Sequence, residues 1–113
     1  MFKDRWDEAK AYYDRREFPA AIQAFTRLLD EQPGNADILY ALGTALAAEG
    51  QQGHAIVILT AANSIRKDRR TLFNLGTCYR ALRMDAQAEK CWTLCGEMDQ
   101  TADLYANLSG LYV

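Results

Sequence analysis

Proline is scarce in this sequence. Only Pro19 and Pro33 occur in 113 residues, so long stretches are free to form helix. Histidine is scarcer still. His54 is the single copy, so a Ser–His or Cys–His catalytic pair would have to be built on one residue beside an expected turn. Three cysteines, Cys78, Cys91 and Cys95, make an odd set and exclude a disulfide framework. The expected setting is therefore reducing and cytoplasmic. Acid and base nearly cancel, leaving a net charge of -2, so the whole chain has no strong pull toward nucleic acid or an anionic membrane. No apolar run reaches bilayer length. Charges at Lys3, Asp4, Arg5, Asp7 and Glu8 break the apolar stretch that a signal peptide would need. No glycine-rich phosphate loop and no closely spaced metal-ligand set is present. These absences point away from an enzyme, a cofactor and a metal, and toward a binding module.

What is present is alanine, a 50% hydrophobic share, and a repeat. Leu39-Tyr40-Ala41-Leu42-Gly43-Thr44 matches Leu72-Phe73-Asn74-Leu75-Gly76-Thr77, 33 residues on. A third copy opens at Tyr105-Ala106-Asn107-Leu108-Ser109-Gly110, again 33 residues on. Between the copies an alanine precedes a bulky residue by four: Ala21 and Phe25, Ala55 and Leu59, Ala88 and Trp92. The same register, run backward, puts a weaker copy over residues 3–15 with Ala9 at the small position. A period in this range marks stacked supersecondary units, none of which buries its apolar face alone.

These residues resemble the tetratricopeptide repeat family. Its pattern of a bulky residue, Leu-Gly, Tyr, Ala, an aromatic and Pro is met by Leu72, Leu75, Gly76, Tyr79, Ala88 and Trp92, and by Ala21, Phe25 and Pro33. The resemblance implies an all-α fold, a right-handed superhelix of about three helical hairpins plus a C-terminal helix. It would occupy 1–113 as one domain, with repeats near 2–35, 36–68 and 69–101 and a partial repeat over 102–113. First (A) helices are expected near 3–15, 35–49, 69–82 and 102–112, and second (B) helices near 18–31, 53–65 and 85–98. Pro33-Gly34-Asn35 supplies one turn. Lys67 and Gln100 stand where the closing Pro is expected, and Arg5 and Glu8 stand where apolar residues are expected. Cys95 falls at a small buried position, so Cys91 and Cys95 read as packing residues.

The family's A helices line a concave groove for partner peptides. The resemblance then implies a peptide-binding set of Tyr40, Thr44, Arg70, Phe73, Asn74, Thr77, Arg80 and Asn107, with Trp6, Asp7, Lys10, Asp37 and Ala41 at equivalent or neighbouring positions. Residues 66–83 carry six positive charges, Arg66, Lys67, Arg69, Arg70, Arg80 and Arg83, against Asp68. An acidic peptide is therefore expected, with asparagine amides bonding its backbone. The family's carboxylate clamp of Lys, Asn, Asn, Lys and Arg is met here by Trp6, Lys10, Ala41, Arg70 and Asn74, which disfavours chaperone tails. The partner is expected to be a protein or peptide, with no nucleic acid and no membrane. Two other readings stand beside this one. One is a self-associating stack, in which the C-terminal Leu104 and Leu111 contact another copy while Leu108 and Tyr112 pack inward. The other is the non-catalytic arm of a larger enzyme such as a glycosyltransferase.

Overall fold

The computed structural model describes the backbone of residues 1–111 and the side chains of residues 1–98. The described residues form six helices and no strand: α1 (Phe2–Asp14), α2 (Phe18–Glu31), α3 (Ala36–Ala48), α4 (Gln52–Ile65), α5 (Arg69–Ala81) and α6 (Asp85–Leu111). Each packs on the next in chain order, and α3 also touches α5. The result is three antiparallel hairpins, α1/α2, α3/α4 and α5/α6, stacked side by side.

Local chemistry sets the helix ends. Pro19 lies in the first turn of α2, where a missing N–H has no helical partner to lose. The Asn35 side chain caps α3 by accepting from the N–H groups of Asp37 (3.0 Å) and Ile38 (3.2 Å). Asp68 caps α5 by accepting from the Arg70 N–H at 2.8 Å. The A-to-B turns repeat one geometry. Arg16, Gly50 and Arg83 all take positive φ, at 62°, 87° and 61°. The N–H that follows each reaches back to a carbonyl five residues earlier: Glu17 to Tyr12, Gln51 to Leu46, Met84 to Tyr79. These are Schellman closures with a left-handed residue at their centre.

Helix pairs meet at their smallest residues. A Cβ on Gly43 would lie 2.6 Å from the Leu59 side chain, and one on Gly76 would lie 2.3 Å from the Trp92 indole nitrogen. Ala9, Ala21, Ala55 and Ala88 are almost wholly buried, as are Phe25, Leu28, Ile38 and Leu59. Arg5 and Glu8 replace apolar residues without loss of α1, because both stay at the surface. Arg5 pairs with Glu31 at 2.5 Å and Glu8 accepts from the Tyr12 hydroxyl at 3.2 Å. Ala9 is the one fully buried residue of α1.

One boundary differs from expectation. A turn is expected near Gln100, between helices over 85–98 and 102–112, but α6 continues through Leu111. No proline or glycine occurs from 97 to 109, so nothing in the local sequence ends the helix. At Lys67, which also lacks the proline, Arg66 turns extended and Asp68 starts a new helix.

Gly76→Leu is expected to lower stability by roughly 1–3 kcal/mol through overpacking against Trp92, read as a drop in the urea midpoint. Arg83→Gly should act in the opposite sense. It relieves a left-handed residue that costs a side chain about 1–2 kcal/mol, less the extra chain entropy of glycine, so a net rise in midpoint is the outcome to look for.

Candidate functional site

The A helices α1, α3 and α5 present equivalent side chains along one face. Trp6, Tyr40 and Phe73 share one position of the repeat, and Lys10, Thr44 and Thr77 another. The neighbouring helices carry them into contact. The Asn74 amide nitrogen donates to the Tyr40 hydroxyl at 3.3 Å and to Thr44 Oγ1 at 3.2 Å. Thr44 in turn donates to the Tyr40 carbonyl at 2.8 Å, which aims its lone pairs at Asn74. This polar knot ties α5 to α3. The knot engages the amide nitrogen of Asn74 within the fold.

Arg70 lies beside the knot. Its guanidinium stacks over the Tyr40 ring, 4.8 Å from the centroid, a cation–π contact. It also binds Asp68 twice, at 3.0 and 3.2 Å. The hydrogen bond from Arg70 is the main reason that the Asp68 carboxyl is held below the usual carboxylate range, and the same bond raises Arg70. Asp68 thus caps α5 and orients Arg70 with one side chain. Arg66, at the end of α4, makes an ion pair with Asp37 at the start of α3, within the second hairpin. Part of the basic cluster is therefore engaged inside the fold.

Two clefts flank Tyr40 and Arg70. The first, about 360 Å³, lies between α1, α3 and α5 and is lined by Trp6, Lys10, Tyr13, Asp14, Phe25, Asp37, Tyr40, Ala41, Thr44 and Arg70. The second, about 410 Å³, is lined by Tyr40, Arg69, Arg70, Phe73, Asn74 and Cys95. Five of the expected residues, Tyr40, Thr44, Arg70, Phe73 and Asn74, therefore gather at one place. Phe73 is 55% exposed there, a large apolar surface facing solvent.

Two do not join the clefts. Thr77 donates to the Phe73 carbonyl of its own helix at 3.1 Å. Arg80 lies over the Trp92 ring of α6, 6.0 Å from its centroid. Asn107, Leu104, Leu111, Leu108 and Tyr112 lie outside the residues whose side chains are described. Tyr13 and Asp14 were not among the expected groove residues. The signal was there for Tyr13, which follows Trp6 by seven and Lys10 by three, on the same helix face.

The groups considered for catalysis have local roles. His54 Nδ1 lies 3.1 Å from Gln51 Oε1 at the exposed start of α4. Burial pushes the Cys78 and Cys91 thiols up, away from the nucleophilic thiolate, and the Cys95 thiol donates to the Arg69 carbonyl at 3.5 Å. No group of three metal-ligating side chains occurs among the described residues, and none of the described helices is long and apolar enough to cross a membrane.

A stack of hairpins with small residues at each crossing is what the repeat pattern implied, and a tetratricopeptide repeat profile matches residues 7–62. The chain belongs to the tetratricopeptide repeat family. Tetratricopeptide repeat protein 1 of Schizosaccharomyces pombe is 29% identical over 91 residues, 80% of this chain and 9% of that protein. This chain thus spans less than a tenth of that relative's length. Among solved structures, MamA of AMB-1 superposes with a TM-score of 0.82 at 18% identity, over 88% of this chain and 55% of its own. The first tetratricopeptide repeat domain of Spaghetti (RPAP3), bound to an HSP90 peptide SRMEEVD, superposes with a TM-score of 0.83 at 16% identity. That match covers 99% of this chain and 94% of that domain. At these identities the structural matches establish the superhelical fold.

Asp68 yields a pH prediction for this tetratricopeptide stack. Its folded pKa lies below the ordinary carboxylate value of about 3.9. It therefore contributes stability that is complete above that value and lost as pH falls through the lowered one. Asp68→Asn keeps a capping oxygen but not the charge. The midpoint difference between the parent and this variant should be present at pH 7 and vanish in acid.

Proposed function

We propose that this tetratricopeptide chain is a protein-interaction scaffold that holds an extended, acidic peptide segment along α1, α3 and α5. The observation that carries the reading is the pair of clefts that share Tyr40 and Arg70 in their linings, since between them they touch all three A helices. Arg70 is preorganised there by Asp68 and by the Tyr40 ring, so little side-chain freedom is lost when a carboxylate arrives. The Asn74 carbonyl offers a backbone bond and Phe73 an apolar contact. The likeness to the Spaghetti domain, which is seen with the peptide SRMEEVD, supports a peptide as the class of partner.

The mode differs from a clamp on a terminal carboxylate pair. Trp6 and Ala41 stand at two of the clamp positions, and Asn74 stands where that clamp has its arginine. Charge comes instead from Arg70, with Arg69 beside it in the second cleft. Arg80 contributes at longer range, because it stacks on Trp92.

Titration calorimetry of an acidic nonapeptide against the parent, Arg70→Ala and Arg80→Ala proteins tests this. Arg70→Ala is expected to weaken binding about tenfold and to flatten its salt dependence, with a smaller loss for Arg80→Ala. Binding indifferent to both arginines would refute the acidic-groove reading.

A further inference from the structure

The A helices differ at two positions of the repeat, and the difference follows what lies before each helix. α3 packs on α2, and α5 packs on α4. In α3 the two positions hold Leu39 and Leu42, and in α5 they hold Leu72 and Leu75, all four buried. In α1, which has no helix before it among those described, they hold Arg5 and Glu8. Both are exposed and line a cleft between α1 and α2 of about 200 Å³. The two positions are apolar and buried where a B helix precedes, and charged and exposed where none does. They therefore face the preceding B helix.

The same two positions recur 33 residues beyond Leu72 and Leu75, as Tyr105 and Leu108. Residues 102–111 thus carry the mark of a helix that covers a B helix. The B helix next in line is the first half of α6, and the segment cannot reach it from within the chain. α6 runs unbroken from Asp85 to Leu111, and its 27 residues are as long as a B helix of 14 and an A helix of 13 joined end to end. At about 1.5 Å of rise per residue, the second half is carried away from the first, and a straight helix cannot pack on itself. The α1 helix of another copy is a poor substitute, because Arg5 and Glu8 would bring charge to an apolar contact.

We propose that this chain pairs with a second copy of itself by exchanging the second half of α6. Two α6 helices lie antiparallel about a two-fold axis near their midpoints. Residues 102–111 of each copy then take the place of a following A helix on the third hairpin of the other. The exchange reuses a contact that the fold already makes twice, between α2 and α3 and between α4 and α5, which is why swapping an identical element is a low-cost route to a dimer. Because the exchange is reciprocal, assembly closes at two copies.

Light scattering of the intact chain tests this. The parent should show twice the chain mass, with no further growth as concentration rises. Leu108→Glu places a charge in the exchanged contact, and Gln100→Pro breaks α6 between its halves. Each is expected to give a monomer, whereas Arg5→Ala should leave the dimer intact. If a variant loses its helical circular dichroism, the parent protein decides alone. In a mixture of isotope-labelled and unlabelled copies, Leu108 of one copy should show nuclear Overhauser contacts to the first half of α6 in the other. A parent that stays monomeric, a mass that climbs past two copies, a dimer indifferent to both substitutions, or the lack of those contacts between copies would overturn the exchange.

Discussion

The structure depends on how closely the two helices of each hairpin approach. At Gly43 and Gly76 the facing side chain, Leu59 or Trp92, sits where any Cβ would be. Ala9 fills the same role in the first hairpin and is wholly buried. Close approach lets Ala21, Ala55 and Ala88 vanish into the contact while the bulky residue four positions on fills the space around it. It also dictates the turn. Two helices this close must be joined by a sharp reversal, and the chain makes it the same way three times, with a left-handed residue at Arg16, Gly50 and Arg83. Glycine suits that conformation, yet two of the three turns carry arginine, so the turn geometry is imposed by the packing it serves.

The groove follows from the same constraint. Stacking three hairpins in one register places α1, α3 and α5 side by side, and residues one repeat apart come into contact. Asn74 reaches Tyr40 and Thr44 across 34 and 30 residues of chain. Asp68 links this geometry to electrostatics, because the carboxylate that starts α5 also holds Arg70 over Tyr40. A change at this helix cap would therefore alter the groove as well as the helix.

Much of this was legible beforehand, for identifiable reasons. The Leu-Gly and Ala-bulky registers recur at a constant spacing, and a constant spacing leaves little freedom in how units stack. Five residues that the family resemblance projected onto the groove, Tyr40, Thr44, Arg70, Phe73 and Asn74, line the two clefts, because one period carries equivalent positions to equivalent helix faces. Thr77 and Arg80 share that periodicity but do not join the clefts. Thr77 bonds back to its own helix, and Arg80 lies over the Trp92 ring of α6. The unbroken α6 was missed because a repeat register predicts a turn by analogy, whereas a helix ends only where the local residues end it.

The sequence by itself determined the helical class, the hairpin boundaries through α5, the small residues at each crossing and the face on which the A helices show their side chains. Those properties are periodic or local, set by spacing, by caps such as Asn35 and Asp68, and by Pro19 and Pro33. Tertiary structure alone decided how charge is distributed over that face. Whether Arg66, Arg70 and Arg80 meet a ligand, a carboxylate or a ring depends on which side chains from other helices arrive within a few ångströms. Asp37 and Tyr40 come from α3 and Trp92 from α6, none of them from the element that carries the arginine it meets, and no period in the chain encodes their distance from an arginine.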